Sequence, residues 1–142
     1  MPGLTDAFEN SYVDFRWRAQ TWTLNANATF ELYTAAPGET GGGTVAAYTG
    51  YAAVSVARSL ANFAGTQSAG STTASTGTGG QTSNNAAITY GAPTSGPTTV
   101  THLGVKDGAT LAEFGTLTSS RTLNNGDAAP SFAIAAFTST ID

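Results

Sequence analysis

The chain contains no cysteine, a single histidine and only five basic residues in 142. Without cysteine there is no disulfide framework, no thiolate metal site and no cysteine nucleophile. The cations Arg16, Arg18, Arg58, Lys106 and Arg121 fall far short of the stripe that neutralises a phosphate backbone, and a net charge of -4 with a pI near 4.6 points the same way, so no nucleic acid is expected as a partner. No stretch approaches the ~18 consecutive apolar residues of a membrane span, and the first residues lack a basic segment followed by an apolar run. Neither membrane insertion nor export by a signal peptide is expected, which leaves synthesis in the cytosol.

Charge of either sign is scarce. Charged residues make up 10% of the chain, where a free globular domain carries about 25%. What fills the surface instead is Thr, Ser, Gly, Asn and Ala, a palette suited to meeting other protein through uncharged polar contacts, and equally to a secreted β-domain. The length fits one domain spanning 1–142. Surface scaling for 14.3 kDa gives about 6,800 Å² exposed when folded against about 20,700 Å² unfolded, so a core is feasible without staples.

The scarcity extends to reactive groups. His102 lies mid-strand between Thr101 and Leu103 and reads as structural. A Ser-His-Asp set from His102, Asp107 and a loop serine lacks a nucleophile elbow. The nine carboxylates, Asp6, Glu9, Asp14, Glu31, Glu39, Glu113 and Asp127 among them, show no glycosidase pairing. Asn124, Asn125, Gly126 and Asp127 read as an Asn-Gly turn rather than as calcium ligands, and no alternating-Asp calcium loop occurs. The glycines at 41–43, 77, 79 and 80 lack the Gly-Lys-Ser/Thr ending of a phosphate loop. No catalytic residue, metal or cofactor is expected, and the chain reads as a non-enzyme.

What the sequence does contain is strand and turn chemistry. The clearest piece is Thr98 to Leu117, where apolar runs holding Val100, Val105 and Phe114 flank Asp107-Gly108, a hairpin turn signal because glycine accepts positive φ. Ala28 to Ala35 alternates as a strand, with Phe30, Leu32 and Thr34 on one face; Ala52 to Ala57 and Ala86 to Tyr90 are further strands, and Thr118 to Leu123 extends the hairpin or begins another. A second Asn-Gly turn at 124–127 precedes closing strands over 131–141, so 86–142 is expected to be a set of β-hairpins. The fold class is mainly β, an antiparallel sandwich or small barrel.

Two segments fall outside that pattern. Residues 5–16 are expected to form a helix capped by Thr5 or Asp6, with Glu9 in a weak capping box and Phe8, Tyr12 and Phe15 on one face. So short a helix needs a sheet or a neighbouring subunit to dock on. Residues 64–85 are almost wholly Gly, Ser, Thr, Ala, Gln and Asn, within a span from Arg58 to Lys106 that has no other charged residue. They read as a loop or as an extended arm that orders along another protein, the arm being favoured. Phe8, Tyr12, Phe15, Trp17, Trp22, Thr72, Thr76 and Gln81 are the candidate partner contacts.

The run Val100, Thr101, His102, Leu103, Gly104, Val105 and Asp107, then Phe114, Gly115, Leu117, Thr118, Thr122, Asn125, Gly126, Asp127 and Asp142, resembles a family of small tailed-phage virion proteins of the tail fibre-like kind. Phe30, Leu32, Tyr33, Thr34, Ala36, Pro37 and Gly38, and then Gly50, Tyr51 and Ala52, fall in matching order, and a short helix precedes them. The stretch around Trp17 and Trp22 and the 64–85 segment depart from it. The resemblance implies a structural role in the virion. A small β-domain with an arm is also similar to the cement proteins that decorate capsid shells, commonly as trimers. The reading is therefore a capsid decoration protein that binds the major capsid protein, self-associates as a homotrimer and stabilises the assembled shell by mass action. The alternative is a tail fibre or baseplate accessory protein with a receptor- or glycan-binding role, in which Trp17, Trp22 and the tyrosines at 33, 48, 51 and 90 stack on sugars.

Overall fold

A computed structural model of the protein describes residues 3–141; Asp142, the last residue of the resemblance, lies outside them. In chain order the elements are β1 (Gly3–Leu4), α1 (Asp6–Trp17), β2 (Asn27–Ala35), β3 (Thr44–Val45), β4 (Val54–Ala57), β5 (Gln81–Ser83), β6 (Ile88–Thr89), β7 (Thr98–Asp107), β8 (Thr110–Leu123), β9 (Ser131–Phe132) and β10 (Thr138–Thr140). Six strands form one antiparallel sheet in the order β1-β8-β7-β2-β3, with β4 pairing the other half of β2. Two two-stranded ribbons, β5 with β10 and β6 with β9, make up the other sheets. β1 at one edge and β3 and β4 at the other do not meet, so the sheet is open and no barrel closes.

The β7–β8 hairpin is built as its residues dictate. Asp107 pairs with Thr110 across a turn in which Gly108 takes φ +61°, a region that side chains with a Cβ avoid. Thr118 to Leu123 continues β8 rather than starting a new strand. The register slips between Val100 and His102 and again between Val105 and Lys106. Across the first slip Val100 and Leu103, an odd number of residues apart, still enter one core. β2 lies between β7 and the β3/β4 edge and sends Ala28, Phe30 and Leu32 into that core. On the opposite face Tyr33 presses so close to Gly104 that a Cβ there would come 2.7 Å from its ring, which makes the glycine a packing requirement.

The core is closed by the second layer. Phe30 is fully buried, with Phe137 edge-on at 5.0 Å between ring centroids and Phe63 stacked at 6.3 Å. Asn84, buried just after β5, joins the layer's parts: its Nδ2 donates to the carbonyls of Ala86 and Ala133, both at 2.8 Å, and its Oδ1 accepts from the Phe137 N–H at 2.9 Å. Ile88, Tyr90 and Phe137 come from this layer to meet Leu103, Val105 and Leu123 of the hairpin. The expected C-terminal hairpins are therefore one hairpin only. The 124–127 turn exists, with Asp127 Oδ2 accepting from the Asn124 N–H at 2.8 Å, but β9 beyond it pairs with β6 and β10 pairs with β5. These strands are two or three residues long, too short for pattern to choose a partner.

The 64–85 segment is a closed loop followed by a strand, not an extended arm. Gln67 Nε2 donates to Ser71 Oγ at 2.6 Å and Thr73 Oγ1 at 2.9 Å, its Oε1 accepts from the Thr76 N–H, and the Gly77 N–H donates to Thr66 Oγ1. Ala64 N–H donates to the Ser83 carbonyl at 2.9 Å, which brings the two ends of the segment together. One amide side chain thus supplies internally the partners that an arm would seek on another protein.

Tyr48, Tyr51 and Tyr90 interlock in the core, with centroids 5.3 Å and 6.0 Å apart. Burial raises all three phenols above their ordinary value of 10.0, Tyr51 to about 12, and burial with a hydrogen bond to Glu31 raises Tyr33 as well. The unfolded chain releases these protons near pH 10 while the folded chain holds them. Stability is therefore present in full below pH 10 and is lost as pH rises from there through the folded value of about 12 for Tyr51. Alkaline titration is expected to show tyrosinate absorbance from these residues rising together with loss of near-ultraviolet circular dichroism. Tyrosinate appearing in full near pH 10 with the fold intact would contradict the burial.

Candidate interaction surface

Helix α1 follows β1, whose residues pair with Phe114 and Glu113 of β8. Thr5 is its N-cap residue but makes no side-chain cap; the Thr5 Oγ1 is buried and donates instead to the Leu111 carbonyl at 2.6 Å, fastening the helix start to β8. The expected capping box is thus replaced by a tertiary bond, while Asp6 and Glu9 remain in the first turn where the helix dipole favours them. Of the aromatic stripe only Phe8 is buried; Tyr12 and Phe15 are exposed.

Residues 18–26 form no regular element and fold back along the helix. Trp22 stands edge-on to Phe8 at 5.4 Å and tilted to Phe15 at 6.3 Å. The return strand is anchored at Asn25, whose N–H and Nδ2 donate to the Asp107 carboxylate, and Arg58 pairs with that same carboxylate at 2.7 Å. Asp107 is thus committed to holding the hairpin end, and His102 Nδ1 lies 2.8 Å from Thr101 Oγ1. The structure assembles no triad from them.

Between this aromatic layer and the β5–β10 ribbon runs an apolar groove of about 460 Å³. Phe8, Trp22 and Leu24 line one side, Leu60, Phe63 and Ile141 the other, and Phe30 and Ala112 the floor. Leu24, Leu60 and Ile141 are exposed at its rim. Glu113 is the one carboxylate in the lining, 9% exposed, with Ser139 Oγ donating to Oε2 at 2.7 Å. Burial raises its carboxyl above the ordinary glutamate value. Among the described residues the ion pairs are Arg18–Asp14, Arg58–Asp107 and Lys106–Glu31, and Glu113 belongs to none.

A second groove, of about 550 Å³, lies over Glu31, Tyr33 and Lys106. Within it Tyr33 Oη donates to Glu31 Oε2 at 2.8 Å and Lys106 Nζ sits 3.5 Å from Glu31 Oε1, while Asp6 and Glu39 also line it and belong to no ion pair among the described residues. No group of three or more metal-ligating side chains occurs among the described residues.

The structure gathers Phe8, Phe15 and Trp22 into one cluster and leaves Trp17 apart, 75% exposed at the end of α1, with the Arg16 guanidinium 5.4 Å from its ring centroid. Tyr12 is exposed on the helix. Thr72 and Thr76 sit in the closed loop and Gln81 in the β5–β10 ribbon, where its Nε2 donates to Thr140 Oγ1. None of these three lines the apolar groove. The tyrosines suggested as sugar-stacking residues are core members, Tyr33, Tyr48 and Tyr90 buried and Tyr51 packed against the core. Leu24, Leu60, Glu113 and Ile141 were not legible as surface-forming residues, because only the folded chain brings them to one groove.

Residues 3–140 match a family model described as podophage GP4 fiber I protein gp80. No curated protein matches the chain.

Proposed function

From the premise that the chain belongs to the podophage GP4 fiber I protein gp80 family, and so is a structural protein of a phage virion, we propose that it is a non-enzymatic component of the fibre. The observation that carries this is the extent of the match, which runs from β1 through β10 and so takes in the sheet, the helix and both ribbons. The geometry agrees in kind: it offers contact surfaces, an apolar groove and an aromatic helix end, beside the larger groove over Glu31, Tyr33 and Lys106.

A capsid decoration role would use the same contact chemistry on the head shell and the same mass-action logic, with the major capsid protein as partner and the homotrimer as the assembled unit. The family's fibre designation favours the fibre. A receptor- or glycan-binding role loses its stacking tyrosines to the core and retains only Trp17 and part of Trp22. Particles assembled without the chain are expected to keep filled heads of ordinary heat resistance and to lack complete fibres. Heads that leak on heating while fibres persist would put the chain on the shell instead.

A further inference from the structure

We infer that the apolar groove receives the Arg16–Trp17 end of helix α1 from a second copy of this chain, Trp17 entering the groove and Arg16 pairing with Glu113. The groove and the helix end are complementary in polarity and charge. On one side stands a cleft of about 460 Å³ with an apolar lining, a buried carboxylate that no cation pairs among the described residues, and an exposed apolar rim at Leu24, Leu60 and Ile141. On the other stands an indole, three-quarters exposed, with a guanidinium held against it. An indole and the arginine stem beside it occupy part of such a cleft, and a tryptophan with an adjacent arginine is the kind of anchor that dominates protein interfaces.

The occupant comes from another copy. Phe8 and Trp22 line the groove beside the start of the helix, whereas Trp17 ends the helix and is absent from the lining. Arg58, the one cation in the lining, acts on Glu113 from a distance but forms its ion pair with Asp107. Of the remaining arginines, Arg18 pairs with Asp14, while Arg16 and Arg121 take part in no ion pair among the described residues, and of these two it is Arg16 that lies against the exposed indole. A contact of one copy's helix end with the next copy's groove joins unlike patches, so it builds a ring where the rotation closes and a filament where it does not. The inference does not depend on where in the particle the chain sits.

The test uses the purified full chain and two surface variants. Trp17→Ala removes the knob and keeps the groove; Leu60→Lys keeps the knob and puts a like charge and a polar head at the rim that must receive Arg16. Both positions are exposed, so each variant is expected to keep wild-type circular dichroism, and wild-type melting at dilutions where the wild type is itself dissociated. In sedimentation velocity the wild type is expected to associate. Trp17→Ala is expected to weaken association by at least about 30-fold, the ~2 kcal/mol of a truncated hot-spot tryptophan. Leu60→Lys is expected to be monomeric alone. Mixed, the two variants are expected to form a heterodimer, since one still offers a groove and the other a knob. A wild type that stays monomeric, a Trp17→Ala variant that associates like the wild type, or a mixture that stays monomeric would each overturn the inference. Fibre loss from particles is a separate readout, so failure here leaves the placement in the virion standing, and the reverse.

Discussion

Phe30→Ala is expected to destabilise the protein by about 3 kcal/mol, at the low end of the ~3–5 kcal/mol seen when a buried phenylalanine is truncated. The ring is wholly buried between Phe63 and Phe137, so its loss removes the contact through which β2 and the second layer grip each other. Its other flank forms part of the floor of the apolar groove, so the cavity left behind opens to solvent and the surroundings relax toward it; that holds the loss to the low end. With a chain of this size the melting temperature should fall by roughly 10 °C. Thermal unfolding followed by circular dichroism reads it. A loss under about 1 kcal/mol would mean that the core is not centred on this ring.

Asn84→Asp is expected to have an effect of about 3–5 kcal/mol at neutral pH, the range for a buried charge left unpaired. Asn84 Nδ2 donates to two carbonyls, and a carboxylate oxygen in its place faces both of them as a third acceptor at about the same 2.8 Å. Only the bond from the Phe137 N–H survives the exchange. Asn84→Ala loses all three bonds but adds no charge, and should cost less. The two variants also differ with pH. The aspartate's folded-state value is raised above its unfolded ~3.9, so the loss should shrink in acid and grow as pH rises through the folded value. Chemical denaturation of both variants at acidic and neutral pH measures the difference. Equal stability of Asn84→Asp and wild type at neutral pH would contradict the role given to this side chain.

Both effects bear on how much of the fold was readable beforehand. β2 and the β7–β8 hairpin were legible because each is long enough for alternation to show and because Asp107-Gly108 names its own turn. Helix α1 was legible from Phe8, Tyr12 and Phe15, yet the spacing did not say that only Phe8 would be covered, since Trp22 folds back from outside the helix. The second layer was not legible. Its strands are too short to carry a period, and its order comes from side chains such as Asn84 and Gln67 bonding to backbone and to one another, within a stretch whose composition looks featureless. That is also why an extended arm was expected over 64–85: low complexity conceals the amide that closes the loop. The groove was illegible for a different reason, since Leu24, Leu60, Glu113 and Ile141 are scattered along the chain and meet only after the sheet and ribbons have formed.

The resemblance carried by strand and turn residues points to the family whose model matches residues 3–140. Small size and an arm over 64–85 are what suggest capsid decoration; the segment closes on itself as a loop, and the family's designation favours the fibre.

Gold-labelled antibody against this chain, viewed on intact particles by electron microscopy, tests that reading most directly. Label along or at the base of the fibres is the expected result; label distributed over the head shell, or none on the particle, would contradict it.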